Sequence, residues 1–192
     1  MSIPVNVILL DGGIMPKYGS EKAAGADLYA AEDVLIRPGE TKLVRTGVRL
    51  ELASPAPEEG ILAEVQIRNR SGIALTTKLR VANSPGTIDE DYTGELRVII
   101  DNIAQEAVYY DSVINSINVR RRSRVRLLDG SEQQVSSEEG DEYPIGTYLI
   151  RKGDRIAQAV FSVAAQMTFT QVEAFDATTV RGENGFGHTG TR

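Results

Sequence analysis

Residues 83–100 read NSPGTIDEDYTGELRVII. Asn-Ser-Pro-Gly turns the chain, Asp-Tyr-Thr-Gly closes a second short segment, and Leu96, Val98 and Ile100 then alternate around Glu95 and Arg97. A period of two is that of a strand with one face buried. The same period recurs outward in both directions. Val48, Leu50 and Leu52 alternate with Arg49 and Glu51, and Ala63, Val65 and Ile67 alternate with Glu64, Gln66 and Arg68. Residues 155–163 are nearly all apolar, as a strand covered on both faces would be. Breakers separate these runs: Arg37-Pro38-Gly39, the proline- and glycine-bearing stretch 54–60, and Lys152-Gly153-Asp154. Helical periodicity is weak, the best candidate being 71–78, about two turns opening after Arg70. Many short strands without interspersed amphipathic helices predict an all-β fold: a sandwich, a jelly roll or a small barrel.

The composition narrows the chemistry. The chain has 192 residues, no cysteine and one histidine, His188. Disulfides, thiolate nucleophiles and cysteine- or histidine-built zinc sites are thereby excluded, and any metal must be a hard ion on oxygen ligands, Mg²⁺ or Ca²⁺. Acid–base work falls mainly to carboxylates. The length fits one domain, and no stretch approaches the roughly 20 apolar residues of a membrane span. The opening MSIPVNVILLDGG has no basic n-region or long apolar h-region, so the expected location is the cytoplasm. A net charge of −6 argues against a general nucleic-acid binder, though not against a small anion held by a few arginines.

Two segments stand apart. Residues 104–147 carry the basic run Arg120-Arg121-Arg122-Ser123-Arg124-Val125-Arg126 and then the acidic Glu138-Glu139-Gly140-Asp141-Glu142. As one strand, Arg120, Arg122, Arg124 and Arg126 would share a face opposite Val119, Val125 and Leu127. That face is either a solvated, charge-protected edge or a docking surface for an acidic partner. The end, 181–192, has four glycines and little to bury, and reads as a mobile arm.

Five clusters could carry chemistry. RGENGFGHTGTR (181–192) joins Arg181 and closely spaced glycines to Phe186, suiting phosphate oxygens and a stacked base; Gly-rich ends are also commonly just disordered. RNRSGIAL (68–75) sets Arg70, Ser71 and Gly72 at a possible helix start, fit for an anion or simply an N-cap with a solvated arginine. The carboxylates Asp89, Glu90 and Asp91 flank a turn; either they are solvated or one is held beside a water or a metal. KGDRIAQAVF (152–161) places Gln158 in an apolar run, where its amide needs partners. AAGADLYA (23–30) sets Asp27 after small residues that permit close approach.

In this order the five clusters resemble the motifs of the trimeric dUTPases, the deoxyuridine triphosphate nucleotidohydrolases. GTIDEDYTGEL and RGENGFGHTG are the most diagnostic, and 104–147 stands outside the resemblance as an insertion. The resemblance implies a jelly-roll-like β barrel spanning 1–180, a closing arm at 181–192 and a homotrimer with sites at subunit interfaces. It implies hydrolysis of dUTP to dUMP and pyrophosphate with Mg²⁺. Asp89 would be the general base that orients the attacking water. Asn83 and the backbone of Gly86, Thr87 and Ile88 would read the uracil edge, with Tyr92 beneath the deoxyribose. Arg70, Ser71, Gly72 and Gln158 would hold the phosphates, and Asp27 would reach Mg²⁺ through water. From the arm, Arg181 would meet the γ-phosphate, Phe186 would cover the uracil, and Gly187 and His188 would border the phosphates. Asn184 and His188 depart from the usual Gly and Ser. The insertion resembles those of some bacteriophage members, which suggests a phage source, the host cytoplasm and a second, protein-binding role; no membrane or nucleic-acid partner is expected. Two alternatives remain open: a dCTP deaminase of the same fold, and a nucleotide-responsive regulatory module acting through 104–147.

Overall fold

Alternation becomes burial. Leu96, Val98 and Ile100 point inward with Ala63, Val65 and Ile67, while the residues between them face outward. Burying each larger aliphatic side chain stabilises the fold by roughly 1.5–3 kcal/mol. The computed structural model describes residues 3–57, 60–135, 142–175, 179 and 182. In chain order it forms β1 (Asn6–Leu9), β2 (Lys17–Tyr18), β3 (Ala26–Tyr29), β4 (Val34–Ile36), β5 (Thr41–Glu51) and β6 (Ile61–Arg68). A short helix α1 (Ser71–Thr76) leads to β7 (Leu79–Val81), β8 (Gly86–Asp89) and β9 (Glu95–Asn102). The insertion supplies β10 (Val108–Asp111), β11 (Ser116–Val119), β12 (Arg121–Arg122), β13 (Arg124–Arg126), β14 (Glu132–Gln134) and β15 (Tyr143–Pro144). The strands β16 (Tyr148–Ile150) and β17 (Arg155–Ala165) complete the set.

Three sheets enclose the core: β1-β5-β9-β7, β2-β3-β17-β6-β8 and β14-β13-β16-β4. Apart from β2-β3 and β13-β14, neighbours in these sheets are non-consecutive, which gives the crossed-over, all-β architecture expected of a jelly roll. Two buried polar groups tie the layers. Asn102 donates its amide to the carbonyls of Ile36 and Gly146 at 3.0 and 2.9 Å and accepts from the Ala104 N–H at 3.1 Å. The Thr46 hydroxyl donates to the Leu96 carbonyl at 2.6 Å. At the bulge in β5, Gly47 lies at φ +65°, and a Cβ there would come within 2.6 Å of the Gly13 backbone. Only glycine fits that crossing.

The structure amends three sequence readings. Of the apolar run 155–163, Ile156 and Ala157 are buried, but Val163 is 50% exposed. Among the described residues no layer covers the outer face there. The arginine run is two strands broken at Ser123, with Arg122 paired to Glu132 at 2.9 Å and Arg124 and Arg126 exposed. The 104–147 insertion is also more than an appendage. Val125, Leu127 and Tyr143 form a buried cluster with Leu149, and β13 lies beside β16 in the third sheet. The β10–β11 hairpin and the short β12–β15 pair are separate two-stranded ladders, and β12–β15 carries the buried Tyr143.

Candidate active site

The first half of the site is built around Asp27 on β3. The β-ladder sets Asp27 opposite Gln158 of β17, which in turn faces Arg68 at the end of β6. Asp27 is 4% exposed, and its Oδ1 accepts from Arg70 Nε at 2.9 Å and Gln158 Nε2 at 3.5 Å. Its Oδ2 accepts from Arg155 Nη1 at 3.3 Å. A nearly buried carboxylate is tolerated because two guanidinium groups and an amide replace its water. The small residues before Asp27 serve the close approach expected of them: a Cβ on Gly25 would lie 3.1 Å from Gln158 Cβ.

Arg70 precedes α1 directly. It is itself the helix N-cap, so Ser71 is the first helical residue and not the cap. The first intrahelical bond runs from the Ala74 N–H to the Arg70 carbonyl at 3.0 Å, leaving the N–H groups of Ser71 and Gly72 without a helical partner. Both residues are exposed, and nothing lies within 4 Å of a Cβ built on Gly72. A cleft of about 370 Å³ opens beside them, lined by Arg70, Gly72, Arg151 and Arg155. Three cations and free amide donors, sharing the opening with the carboxylates of Asp129 and Asp154, suit an oligophosphate that carries its own cation. The sequence reading missed Arg155 because its signal, one arginine after a Gly-Asp turn, is common to solvated hairpins.

The second half lies along β8. Among the described residues this strand pairs with β6 on one side only, so its other edge presents peptide donors and acceptors. Asn83, Gly86, Thr87, Ile88 and Tyr92 line a single cleft of about 540 Å³ on that side. A Cβ on Gly86 would sit 2.8 Å from Asn83 Nδ2, so glycine is what lets the amide fold over the strand. Tyr92 is likewise laid back on Gly94 and donates its hydroxyl to the Glu95 carbonyl at 3.0 Å. Its ring, 44% exposed, forms a flat wall of the cleft.

The three adjacent carboxylates separate into distinct roles. Glu90 accepts the N–H groups of Ser54 and Ala63 at 2.9 and 2.8 Å and is committed to the fold. Asp91 is exposed in the turn. Asp89, at the exposed end of β8, receives no side-chain hydrogen bond or ion pair among the described residues. Glu95 and Arg97, not singled out in the sequence, also line the cleft. Burial by itself raises the Glu95 pKa, but hydrogen bonds from Arg45, the Gly47 N–H and Arg97 outweigh it and hold the carboxyl below its usual range.

One chain does not bring the halves together. Asp89 pairs with Glu64, whereas Gln158, opposite Asp27, pairs with Arg68. Four residues along β6 amount to about 13 Å, and three strand spacings add roughly 14 Å across the sheet. Arg181, Phe186, Gly187 and His188 lie outside the described residues. Among the described residues no group of three or more potential ligands could hold a metal by itself. Asp27, with a guanidinium on each oxygen, suits an outer position reached through water, which fits Mg²⁺ carried mainly by substrate phosphates.

Comparison with known proteins agrees with this geometry. The dUTPase family profile matches residues 11–114. The deoxyuridine 5'-triphosphate nucleotidohydrolase of Clostridium kluyveri is 36% identical over 178 residues, 93% of this chain and 91% of that protein. The Staphylococcus bacteriophage 80alpha dUTPase with dUpNHpp superposes with a TM-score of 0.77 at 29% identity, covering 97% of this chain and 98% of that one. It belongs to work describing phage dUTPases as controlling transfer of virulence genes by a proto-oncogenic G protein-like mechanism. A variant dUTPase from phage phi11 of S. aureus, with a structural Mg(II) ion, has a TM-score of 0.71 at 26% identity, covering 91% of this chain and 99% of that one. The strand order, the cleft along the free edge of β8 and these likenesses lead to one conclusion: the chain belongs to the dUTPase family.

Proposed function

We propose that the chain hydrolyses dUTP to dUMP and pyrophosphate. The observation that carries this reading is the cleft at the free edge of β8, where Asn83, Gly86, Thr87, Ile88 and Tyr92 converge and Asp89 ends the strand. The Asn83 amide and the outward peptide groups of Gly86, Thr87 and Ile88 match the uracil edge, and Tyr92 supports the deoxyribose and leaves no room for a 2′-hydroxyl. A site that hydrogen-bonds one base edge rejects the wrong edge by up to about 10⁴–10⁵, because mismatched polar groups stay buried and unpaired. Asp89 accepts a proton from water as the water oxygen bonds to the α-phosphorus. The bond from that phosphorus to the bridging oxygen breaks, and pyrophosphate leaves. Arg70, Ser71, Gly72 and Gln158 hold the phosphates, with Asp27 fixing Arg70 and reaching Mg²⁺ through water. Bound Mg²⁺ supplies charge neutralisation at the phosphates. The arm 181–192 closes the site, Arg181 and His188 on the phosphates, Gly187 beside them and Phe186 over the base.

Separation of the two halves within one chain supports a homotrimer whose sites draw on neighbouring subunits. The insertion and the likeness to phage enzymes support a bacteriophage source. No described helix is long and apolar enough to cross a membrane, consistent with work in the host cytoplasm. The deciding experiment is pyrophosphate release across the deoxynucleoside triphosphates with Mg²⁺. Turnover confined to dUTP is expected; equal turnover of dCTP or dTTP, or ammonia release from dCTP, overturns the reading.

A second role rests on the β10–β11 hairpin. Val108, Tyr110, Val113, Ile114 and Ile117 are each more than half exposed there, and Arg120, Arg121, Arg124 and Arg126 are exposed close by in sequence. Apolar patches rimmed by charge mark protein interaction sites, and this charge selects an acidic partner.

A further inference from the structure

Resting on the dUTPase reading, we infer that Asn69 is a positioning residue, a clasp that fixes the base-reading turn at Asn83 against the phosphate-binding start of α1. Asn69 is the half-buried residue between the end of β6 and the helix N-cap, Arg70. It lies one peptide beyond Arg68, which pairs with Gln158 in the β6–β17 ladder. It lies one peptide before Arg70, whose Nε is committed to Asp27 at 2.9 Å. A displacement of Asn69 is therefore passed directly to Arg70 and to the exposed Ser71 and Gly72 that follow it.

The turn between β7 and β8 is gripped at both ends by this one residue. At its start, the Ala82 N–H donates to the Ile99 carbonyl of β9 at 2.9 Å. Alternation along the ladder turns the preceding N–H, that of Val81, to the opposite edge. There Asn69 Oδ1 accepts it at 2.7 Å. At the other end of the turn, the Asn69 N–H donates to Ser84 Oγ at 3.3 Å. The Ser84 N–H donates in its turn to the Val81 carbonyl at 3.2 Å, closing a four-residue turn with Asn83 at its third position. The Asn83 amide makes no hydrogen bond among the described residues, so its aim over Gly86 is set by the turn that carries it.

The residue type follows from this double duty. An asparagine carries a carbonyl in its side chain beside its own backbone N–H, so it serves an N–H at one end of the turn and a hydroxyl at the other. Leucine fills nearly the same space and leaves the Val81 N–H without its acceptor. Aspartate keeps that acceptor and adds a negative charge. The clasp touches neither base nor phosphate. It acts through Asn83 on one side and through Arg70 on the other, which line different clefts.

The test is inhibition of dUTP hydrolysis by deoxyuridine and by pyrophosphate in wild-type, Asn69→Leu and Asn69→Asp proteins, with urea unfolding of each. Asn69→Leu is expected to raise both inhibition constants by about fivefold, the scale of a lost hydrogen bond. Asn69→Asp should return the constant for deoxyuridine, an uncharged ligand, to near wild type, while its added charge weakens pyrophosphate. A lower urea midpoint in Asn69→Leu with both inhibition constants unchanged overturns the inference and leaves Asn69 a residue of the fold alone. A rise in only one of the two constants in Asn69→Leu also overturns it, because the clasp then serves one half of the site. Equal loss of deoxyuridine inhibition in the Leu and Asp variants does the same, since the acceptor oxygen would then be irrelevant. If wild-type protein neither hydrolyses dUTP nor binds dUMP, the dUTPase reading itself fails.

Discussion

At the scale of single residues, the site depends on which charges are already satisfied. Asp89 and Glu90 are neighbours of the same chemistry, yet among the described residues the Glu90 carboxylate holds two backbone N–H groups and that of Asp89 holds none. Asp89→Asn should therefore fold normally and bind dUMP as tightly as wild type while kcat falls by about 10²-fold or more. Equal turnover in the two proteins removes Asp89 as the base. Glu90→Ala should do the reverse, lowering the urea midpoint before it touches chemistry, since the two N–H groups of Ser54 and Ala63 lose their acceptor. Glu95 adds a pH dependence. Its folded-state pKa is depressed, so its stabilising contribution is complete above the unfolded-state value and is lost as pH falls through the folded one. The stability gap between wild type and Glu95→Gln should accordingly be widest near pH 7 and close below about pH 4, read by urea unfolding across that range.

At the scale of elements, the insertion divides into two parts. Residues 108–119 form a free ladder with exposed apolar side chains, whereas Val125, Leu127 and Tyr143 are core. Replacing 108–119 by a short turn should leave dUTP hydrolysis and the melting temperature near wild type. Removing all of 104–147 should instead destabilise the barrel, because it strips the partners of Leu149 and leaves one edge of β16 unpaired. A stable, active 104–147 deletion would show the third sheet to be dispensable. The helix α1 is the opposite case: six residues of which none is fully buried and only Ile73 packs against the core, with Ser71 and Gly72 exposed at its start.

At the scale of the whole molecule, Asp89 and the Asp27–Arg70 pair sit too far apart in one subunit to act on the same triphosphate. If sites are shared between subunits, mixing two inactive variants should restore activity. Co-refolded Asp89→Asn and Arg70→Ala proteins at equal ratio should recover about a quarter of wild-type turnover, the fraction of sites that receive both intact residues from different chains. No recovery would mean that both residues serve one site from one chain. The outer face of β17, open around Val163, is a surface such an assembly would cover.

The local part of this account was legible in the residues alone. A strand's period and a turn's glycines are properties of a few consecutive positions, so the all-β fold, the turns that bound 86–89 and the close approach permitted by the small residues before Asp27 could be read directly. The five ordered clusters then identified the family. What only the tertiary structure decided are the long-range matters: that Glu90 is spent on Ser54 and Ala63, that Arg155 shares Asp27 with Arg70, that Arg97 lines the cleft beside β8 and that Val125, Leu127 and Tyr143 of the insertion are core. Each depends on which distant strands become neighbours. That choice is made by the packing of the entire chain, and no window of sequence contains it.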